Sequence, residues 1–389
     1  MPLIVIVGIN GRQGTSVANA FLDAPGFRIR GLTSSPDCPA SEKWKDLGVE
    51  IREETFVDEE HARASFEGAA AIFAMTSYHK PFEDRRAKLA YEVGLIKISM
   101  AQFALRRAAY QGRILFDAVA DTRGLHRFVL STLPVVLPGA KYATHLAQAN
   151  YHTKKEQLNY LTRCLPSLAA KTIAVKPCMR MEDYRMTLQM NEAGTLSFGT
   201  IAPAYVPLHW INMRDDFGIF VRTLLLNMSL APVAFAAYSD RVSGEEICAL
   251  ISKISGITCE YRQYTAEEME ESGNNLACEL LPDPAGSVLY DPNVFTPASI
   301  NETIKRYSDP VPLSSFADYL RTVLPEHLAS LRAAANKERA APPEAAIQPA
   351  KEEEACSLVA LQALRSERQP EMESAVLRNV FMGAPRSSE

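Results

Sequence analysis

Three glycines near the start of the chain have the type and spacing to hold a phosphate group. Gly8, Gly11 and Gly14 follow the apolar residues 3–7 and precede a helix predicted over residues 15–21. Such a loop lets a pyrophosphate approach the backbone, and the helix amino terminus offers it unpaired N–H groups and a positive dipole end. The pattern predicts a dinucleotide site; the alternative is a strand-to-helix turn that binds no phosphate.

Polar side chains that could contact a cofactor or a substrate follow three further apolar runs. The carboxyl ends of parallel strands share one edge of a sheet, so we expect these side chains to line one crevice with the glycine loop. Tyr78 and His79 are expected to contact substrate, and Ser131 or Thr132 to hydrogen-bond a substrate oxygen. The side chains are Ser34 and Ser35 after residues 27–32, Thr76, Tyr78 and His79 after residues 70–75, and Ser131 and Thr132 after residues 128–130.

The end of the second predicted strand favours NADP(H) over NAD(H). An NAD site needs a carboxylate about twenty residues beyond the loop, where it accepts hydrogen bonds from the ribose. Here the strand is followed by Ser34 and Ser35, which could donate hydroxyl groups, and the first acid is Asp37. Arg12 lies in the loop, where its guanidinium could pair with a 2′-phosphate; the alternative is an exposed arginine at a helix terminus.

The elements that must position these residues alternate between strand and helix patterns. This alternation predicts an α/β fold, a Rossmann-type doubly wound parallel sheet with a smaller carboxyl-terminal substrate-binding lobe. A long helical insertion is expected at about residues 81–110, with helices predicted over residues 82–105 and 112–119. Beyond residues 3–7, strands are predicted at residues 27–32, 49–51, 70–75, 128–130 and 172–175.

The chain is predicted to divide into three parts. Residues 1–177 are expected to form the dinucleotide-binding domain and residues 178–330 the substrate-binding lobe. Residues 331–389 are rich in alanine, glutamate and proline, which indicates a solvated linker followed by an amphipathic tail.

The first two parts are expected to interleave. Parts of residues 200–240 should complete the sheet, and residues 206–210 and 215–226 have the apolar pattern of a return to it. Trp210 could wall an apolar substrate pocket, and core packing explains this tryptophan equally well.

Composition and charge limit the classes of function. The net charge of −5 over 389 residues argues against a broadly basic nucleic-acid surface. The amino-terminal apolar run is too short for a signal segment, and the later apolar stretch over residues 224–237 is interrupted by polar residues. Seven scattered cysteines indicate reduced thiols, and the histidines lack metal-ligand spacing. We therefore expect a cytoplasmic protein that holds no metal and contacts neither nucleic acid nor membrane directly.

Two motifs resemble the NmrA-like family, atypical members of the short-chain dehydrogenase/reductase superfamily. Residues 8–14, Gly-Ile-Asn-Gly-Arg-Gln-Gly, are close to the family's Gly-Ala-Thr-Gly-Arg-Gln-Gly, and residues 150–154, Asn-Tyr-His-Thr-Lys, are similar to His-Phe-Asp-Ser-Lys. The resemblance extends over about residues 3–325. It implies that Asn10, Gln13, Thr76 and Lys154, together with the loop glycines, bind NADP(H). Relatives carry an acid for the adenine where Thr55 stands, a role in which Asp58 could substitute.

The resemblance also implies the catalytic groups. Reduction of a carbonyl needs a proton donor for the developing alkoxide, and classical members of the superfamily use a tyrosine and a lysine four residues apart with a serine on the preceding strand. Tyr151 and Lys155 have this spacing, but the family motif selects Lys154, about 100° further round the helix. We expect Lys154 to bind the nicotinamide ribose or to act as the acid. Tyr151 is the second candidate, and Ser131 the serine.

The family's activities leave two functions open. The first is an NADP(H)-dependent oxidoreductase that reduces a carbonyl, imine or activated alkene of a small, largely apolar molecule resembling a secondary metabolite, with redox-neutral cyclisation or isomerisation as a variant. The second is a non-catalytic NADP(H) redox sensor that regulates a transcription factor through a protein partner. A homodimer is compatible with either function.

Overall fold

The computed structural model describes residues 1–22, 26–78, 84–133, 145–227, 234–265, 268 and 313–340 of the chain. The strands in this part are β1 (Leu3–Val7), β2 (Arg28–Thr33), β3 (Glu50–Glu53), β4 (Ala69–Met75), β5 (Arg127–Ser131), β6 (Thr172–Pro177), β7 (Met179–Arg180), β8 (Gln189–Met190), β9 (Leu196–Thr200), β10 (Leu208–Ile211), β11 (Ala234–Ala237), β12 (Asp240–Val242) and β13 (Cys259–Gln263).

A seven-stranded sheet forms the centre, in the order β3-β2-β1-β4-β5-β6-β11. Every pair of neighbouring strands in it is parallel. The strand order reverses between β1 and β4, and in open sheets of this kind the ligand crevice lies beyond the carboxyl ends of the strands at that point. The predicted Rossmann-type doubly wound fold is therefore confirmed.

Helices cover both faces of this sheet and continue into the second lobe. A 3₁₀ turn covers Met181–Asp183, and no helix of the described residues is both long and apolar enough to cross a membrane. The helices in the described part are α1 (Arg12–Leu22), α2 (Pro39–Asp46), α3 (Glu59–Phe66), α4 (Arg85–Glu92), α5 (Met100–Ala120), α6 (His145–Cys164), α7 (Pro166–Ala169), α8 (Tyr184–Thr187), α9 (Phe217–Leu226), α10 (Gly244–Ser255) and α11 (Phe316–Ala340).

The two faces of the sheet bury separate apolar clusters. On one face, α1 and α9 pack together over Ile4 and Ile6 of β1. Gly218 makes this close approach possible, because a Cβ there would lie 2.0 Å from the backbone oxygen of Ser16. On the other face, α3, α5 and α6 cover Leu3, Val5 and Val7 of the same strand. Since β1 is buried on both faces, its side chains are uniformly apolar.

The second lobe is built on two small sheets, in the orders β12-β10-β7 and β13-β9-β8. Its own apolar core contains residues of these strands together with α10 and α11. The start of α10 is fixed by a capping box, in which the Glu246 N–H donates to Ser243 Oγ and the Ser243 N–H donates to Glu246 Oε2.

The strand predictions of the first half hold to within one or two residues, and the insertion differs in its helix bounds. One helix was expected over residues 82–105, but α4 ends at Glu92 and α5 begins at Met100. Gly94 has a positive φ of 74°, which ends the first helix, and Ser99 forms a capping box with Gln102 that begins the second.

The expected return of residues 206–210 and 215–226 to the central sheet is wrong. Most of the first segment belongs to β10, which pairs with β12 and β7 in the second lobe and not with the central sheet. The second is α9, whose buried residues follow a helical period. The strand from residues 200–240 that does join the central sheet is β11, which pairs with β6.

Candidate active site

The glycine loop after β1 turns tightly at the crevice. Gly8 has a φ of 74°, and its N–H donates to Leu32 O at 2.8 Å, as the Ile9 N–H does at 3.2 Å. The Gly11 N–H donates to Gly8 O at 2.8 Å. A Cβ at Gly14 would lie 2.1 Å from Gly8 O, so the first turn of α1 approaches the loop more closely than any side chain permits. The cradle depends on glycine at positions 8 and 14.

The groups around this loop fit a dinucleotide. The first N–H groups of α1 have no partner within the helix and are available to an anion. Asn10 Oδ1 and Gln13 Oε1 are buried acceptors without a hydrogen-bond partner among the described residues. Asn10 Nδ2 donates to Thr33 Oγ1 at 3.1 Å and to Ser41 Oγ at 2.7 Å, which ties the loop to the end of β2. Ribose hydroxyls are donors that suit the two unpaired oxygens, and a diphosphate suits the amides.

The end of β2 carries hydroxyl groups at the place where an NAD site carries an acid. Ser34 and Ser35 are exposed, and the Ser35 N–H donates to Thr33 Oγ1 at 3.2 Å. Asp58, considered as an acid for the adenine, has another role: its Oδ1 accepts the His61 N–H at 2.6 Å and caps α3. The role of this exposed carboxylate at the adenine stays a prediction.

Arg12 lies at the exposed first position of α1, and two carboxylates of the second lobe share its surroundings. Burial raises the pKa of Glu182 and of Asp183, and the positive charge of Arg12 opposes that rise in both. The 3₁₀ turn of the second lobe therefore lies within electrostatic reach of the glycine loop. These acids could not be predicted from the sequence, because nothing in their spacing connects them to residue 12.

Lys154 is the buried cation of the site. The residue is 8% exposed, and its Nζ donates to Thr76 O at 2.7 Å and to Thr76 Oγ1 at 2.6 Å. Thr76 follows β4 directly, so the ammonium lies at the carboxyl end of the sheet. Burial lowers the pKa of Lys154 to about 7. The neighbouring Lys155 is half-buried. Of the two lysines that the sequence left open, α6 directs Lys154 towards the strand ends.

Gln157 supports this lysine and was not anticipated. Its side chain is 4% exposed; Oε1 accepts the Thr76 hydroxyl at 2.7 Å, and Nε2 donates to Ala108 O at 3.0 Å. Gly112 leaves room for it, since a Cβ there would lie 2.7 Å from Gln157 Nε2. In the sequence, the position of Gln157 three residues after Lys154 indicates only that the two side chains share one helix face. Lys154, Thr76 and Gln157 thus form one hydrogen-bonded chain.

Ser131 and Thr132 lie next to Thr76 at the ends of neighbouring strands. Ser131 is paired in register with Met75, the last residue of β4, and is 4% exposed. Thr132 is 2% exposed, and its Oγ1 has no hydrogen-bond partner among the described residues. Tyr78, beyond the end of β4, is 2% exposed. A buried hydroxyl and an ammonium group at adjacent strand ends can together hydrogen-bond the oxygen of a polar substrate group.

Trp210, a predicted substrate residue, is not brought to the crevice. Trp210 is 1% exposed in the core of the second lobe, where its indole N–H donates to Val242 O and its ring meets Phe316 edge-on at 5.0 Å. It is a packing residue, which corrects its proposed substrate role. His79 lies outside the described residues, as does the side chain of Tyr151 on α6. Where the structure is described, no cluster of histidine, cysteine or acidic side chains could hold a metal.

Relatives of the chain include fungal oxidoreductases. The NmrA-like family domain-containing oxidoreductase notA of Aspergillus sp. (strain MF297-2) is 25% identical over 226 residues, which are 57% of this chain and 63% of that relative. The chain thus spans 63% of the length of this relative. A relative of the same description, lnaB of Aspergillus flavus, is 31% identical over 257 residues, which are 65% of this chain and 73% of that protein.

A solved structure shares the fold. NmrA, described as a negative transcriptional regulator in complex with NADP, has a TM-score of 0.62 at 16% identity, over 85% of this chain and 97% of that chain. The model of the NmrA-like family matches residues 2–291 of this sequence, a span that includes the glycine loop, Thr76 and Lys154. The chain therefore belongs to the NmrA-like family.

Proposed function

We propose that the protein is an NADP(H)-dependent oxidoreductase that reduces a carbonyl, imine or activated alkene of a small, largely apolar molecule. One observation carries this proposal: Lys154 is buried at the strand ends, with its Nζ held 2.7 Å from Thr76 O and 2.6 Å from Thr76 Oγ1. A buried ammonium group at this place can supply a proton to a substrate oxygen on which negative charge develops. The fungal relatives, which are described as oxidoreductases, support the same function.

In this proposal the glycine loop and the start of α1 hold the diphosphate. Backbone N–H groups of the first turn bind its oxygens, while Asn10 Oδ1 and Gln13 Oε1 accept hydrogen bonds from hydroxyl groups of the cofactor. Bound NADPH supplies the hydride. NADP(H) is favoured over NAD(H) because Ser34 and Ser35 occupy the end of β2 without an acid, and Arg12 offers a cation to a 2′-phosphate.

Lys154 supplies the proton. With a pKa of about 7, its ammonium is partly protonated near neutral pH and can donate to an oxygen on which negative charge develops. The same amine can take a proton back when the reaction runs as an oxidation. Thr132 Oγ1 and Ser131 Oγ hold that oxygen in place, with Tyr151 as a further donor from α6. The second lobe covers the substrate, and the site is expected to function in the cytoplasm.

Substitution of two adjacent lysines tests this proposal. Lys154→Met keeps the length of the side chain and removes the proton donor, so turnover should fall by about 10²–10⁴-fold. Lys155→Met is the matched control and should keep most of the activity. NADPH oxidation would be followed spectroscopically with a panel of aromatic aldehydes, quinones and cyclic imines, and NADP⁺ affinity by calorimetry. We expect both variants to bind NADP⁺ nearly as the wild type does.

The contrasting function is the redox sensor, which is supported by the description of NmrA as a transcriptional regulator. If the wild type binds NADP⁺ and reduces no member of the panel, the sensor becomes the better proposal. If Lys154→Met turns over as fast as Lys155→Met, the lysine has no part in the chemistry. If neither oxidised nor reduced dinucleotide binds, both functions are wrong.

A further inference from the structure

A groove with a volume of about 570 Å³ lies between α5 and α6, away from the glycine loop. Its floor is formed by buried groups that include Phe116, Thr153 and Gln157, and exposed side chains surround its mouth. A volume in this range accommodates a small organic molecule. Nothing in the proposed oxidoreductase mechanism uses this space.

The rim of the groove is positively charged. Arg106 and Arg113 stand two helical turns apart on one face of α5, and Arg163 faces them from α6. The described residues provide no ion pair for any of the three, and all three are exposed. Glu156 is the acid in the lining, and its Oε1 accepts a hydrogen bond from Asn159 Nδ2 at 3.3 Å. The groove therefore favours an anion.

The remaining lining is apolar and aromatic. The exposed fraction of Tyr110 is 42%, which is large for an aromatic side chain, and Leu105 and Ala109 lie on the same helix. Tyr160 presents its ring below the Arg113 guanidinium, 5.2 Å from the centroid, and donates its hydroxyl to Asp117 Oδ1 at 2.7 Å. Such a surface binds an apolar body through its rings, and the arginines bind the charge attached to that body.

We propose that the α5–α6 groove binds a small amphiphilic anion, a carboxylate, sulfonate or phosphate carried on an aromatic or acyl body. The groove and the crevice are distinct, because Gln157 lies between them: its side chain lines the groove floor and also accepts the Thr76 hydroxyl beside Lys154. A ligand in the groove and a dinucleotide in the crevice can therefore be bound at the same time.

A fluorescence titration with 8-anilinonaphthalene-1-sulfonate tests the proposal. Saturating NADP⁺ is present so that the crevice is occupied. The variant Arg106→Gln/Arg113→Gln/Arg163→Gln should bind the dye about tenfold more weakly than the wild type. The control Arg28→Gln/Arg123→Gln/Arg241→Gln removes the same charge from exposed arginines elsewhere and should bind like the wild type. Equal binding by the two triple variants would overturn the proposal.

Competition defines the ligand chemistry. Dodecanoate should displace the dye from the wild type, whereas inorganic phosphate at matched ionic strength should not. Displacement by phosphate as strong as that by dodecanoate would show a site for charge alone and would contradict the amphiphile.

A footprint locates the ligand without any variant. Cys164 is exposed and lines the groove, whereas Cys38 lies outside the groove, beside Asn10 of the glycine loop. Dodecanoate should slow alkylation of Cys164 by iodoacetamide several-fold and leave the rate at Cys38 unchanged, as measured by peptide mass spectrometry. Protection of Cys38 alone would place the anion in the crevice and refute the groove site.

Discussion

At the scale of single residues, the site depends on the direction of its hydrogen bonds. Lys154 Nζ can only donate while it is charged, so Thr76 Oγ1 must accept from it and direct its own hydrogen to Gln157 Oε1. Ala108 O accepts from Gln157 Nε2, which leaves the oxygen of that amide for Thr76. Gln157 is therefore a positioning residue, because it favours the protonated form of Lys154 through the hydroxyl between them.

Gln157→Leu should weaken the acid without removing it. Without an acceptor at position 157, the Thr76 hydroxyl can turn towards Lys154 and stabilise the neutral amine, so the pKa of Lys154 falls below 7. In the proposed reduction the alkaline limb of the kcat/KM profile then moves to lower pH, and turnover at neutral pH falls by about tenfold. Gln157→Glu, which keeps an acceptor and adds a negative charge beside the Thr76 hydroxyl, should move that limb to higher pH than in Gln157→Leu. A parallel loss of turnover at all pH values would contradict the positioning role.

The loop glycines predict a graded loss of dinucleotide binding. A Cβ at Gly14 would lie 2.1 Å from Gly8 O, whereas one at Gly11 would lie 3.1 Å from the same atom. This neighbour is a backbone atom, so Gly14→Ala must shift the loop away from α1, whereas Gly11→Ala requires a shift of only a few tenths of an ångström. Calorimetry should show at least about tenfold weaker NADP⁺ binding for Gly14→Ala and a smaller loss for Gly11→Ala. The reverse order would show that the loop is not the cradle.

At the scale of elements, the sequence predicts the parallel strands well and the apolar helix poorly. Strands such as β1 and β4 are short apolar runs bounded by loop residues, a pattern that few helices share. The run over Phe217–Leu226 is almost wholly apolar, so its helical period is hidden, and only the buried set at i, i+3, i+4, i+7 and i+8 distinguishes it from a strand. The glycine loop and Lys154 could be found from local motifs. The helical spacing places Gln157 on the same face as Lys154, but its bond to Thr76 required knowledge of which elements pack together, as did Glu182 and the groove.

The contact between α1 and α9 gives a prediction about this helix pair. Gly218→Ala places a Cβ 2.0 Å from Ser16 O, a backbone atom that cannot move without separating the helices. We expect Gly218→Ala to lower the free energy of unfolding by about 1–3 kcal/mol, because the overlap outweighs the gain of about 1 kcal/mol in helix propensity that alanine has over glycine. Urea denaturation measures this loss. Leu226→Ala, at the exposed end of the same helix, should change stability by less than about 0.5–1 kcal/mol.

At the scale of the whole molecule, a buried carboxylate joins the sheet to the second lobe. Asp216 precedes α9 and is 2% exposed; its Oδ2 accepts the Ser314 N–H at 3.0 Å, and its Oδ1 accepts the Ser314 hydroxyl at 3.1 Å. Ser314 lies two residues before Phe316, the first residue of α11, which packs in the core of the lobe. The segment before the helix over the sheet and the segment before the helix that completes the lobe are thus joined at one buried point.

The burial of Lys154 also makes the stability of the whole chain depend on pH. Its pKa is about 7 in the folded protein and about 10.4 in an unfolded chain. Between these values the unfolded state binds a proton that the folded state does not, so the free energy of unfolding rises with pH in this window and the contribution is lost as pH falls towards 7. One such group contributes a slope of up to about 1.4 kcal/mol per pH unit.

Urea denaturation of the dinucleotide-free protein at several pH values from neutral to alkaline tests this slope. The wild type should gain stability relative to Lys154→Met as pH rises, because methionine carries no proton to lose. Lys155→Met should follow the wild type at a constant difference, since it leaves the buried amine in place. A difference between wild type and Lys154→Met that stays constant over the window would mean that Lys154 remains charged in the folded protein. The amine could then not act as a proton donor with a pKa near neutrality, which connects this measurement to the proposed chemistry without requiring a substrate.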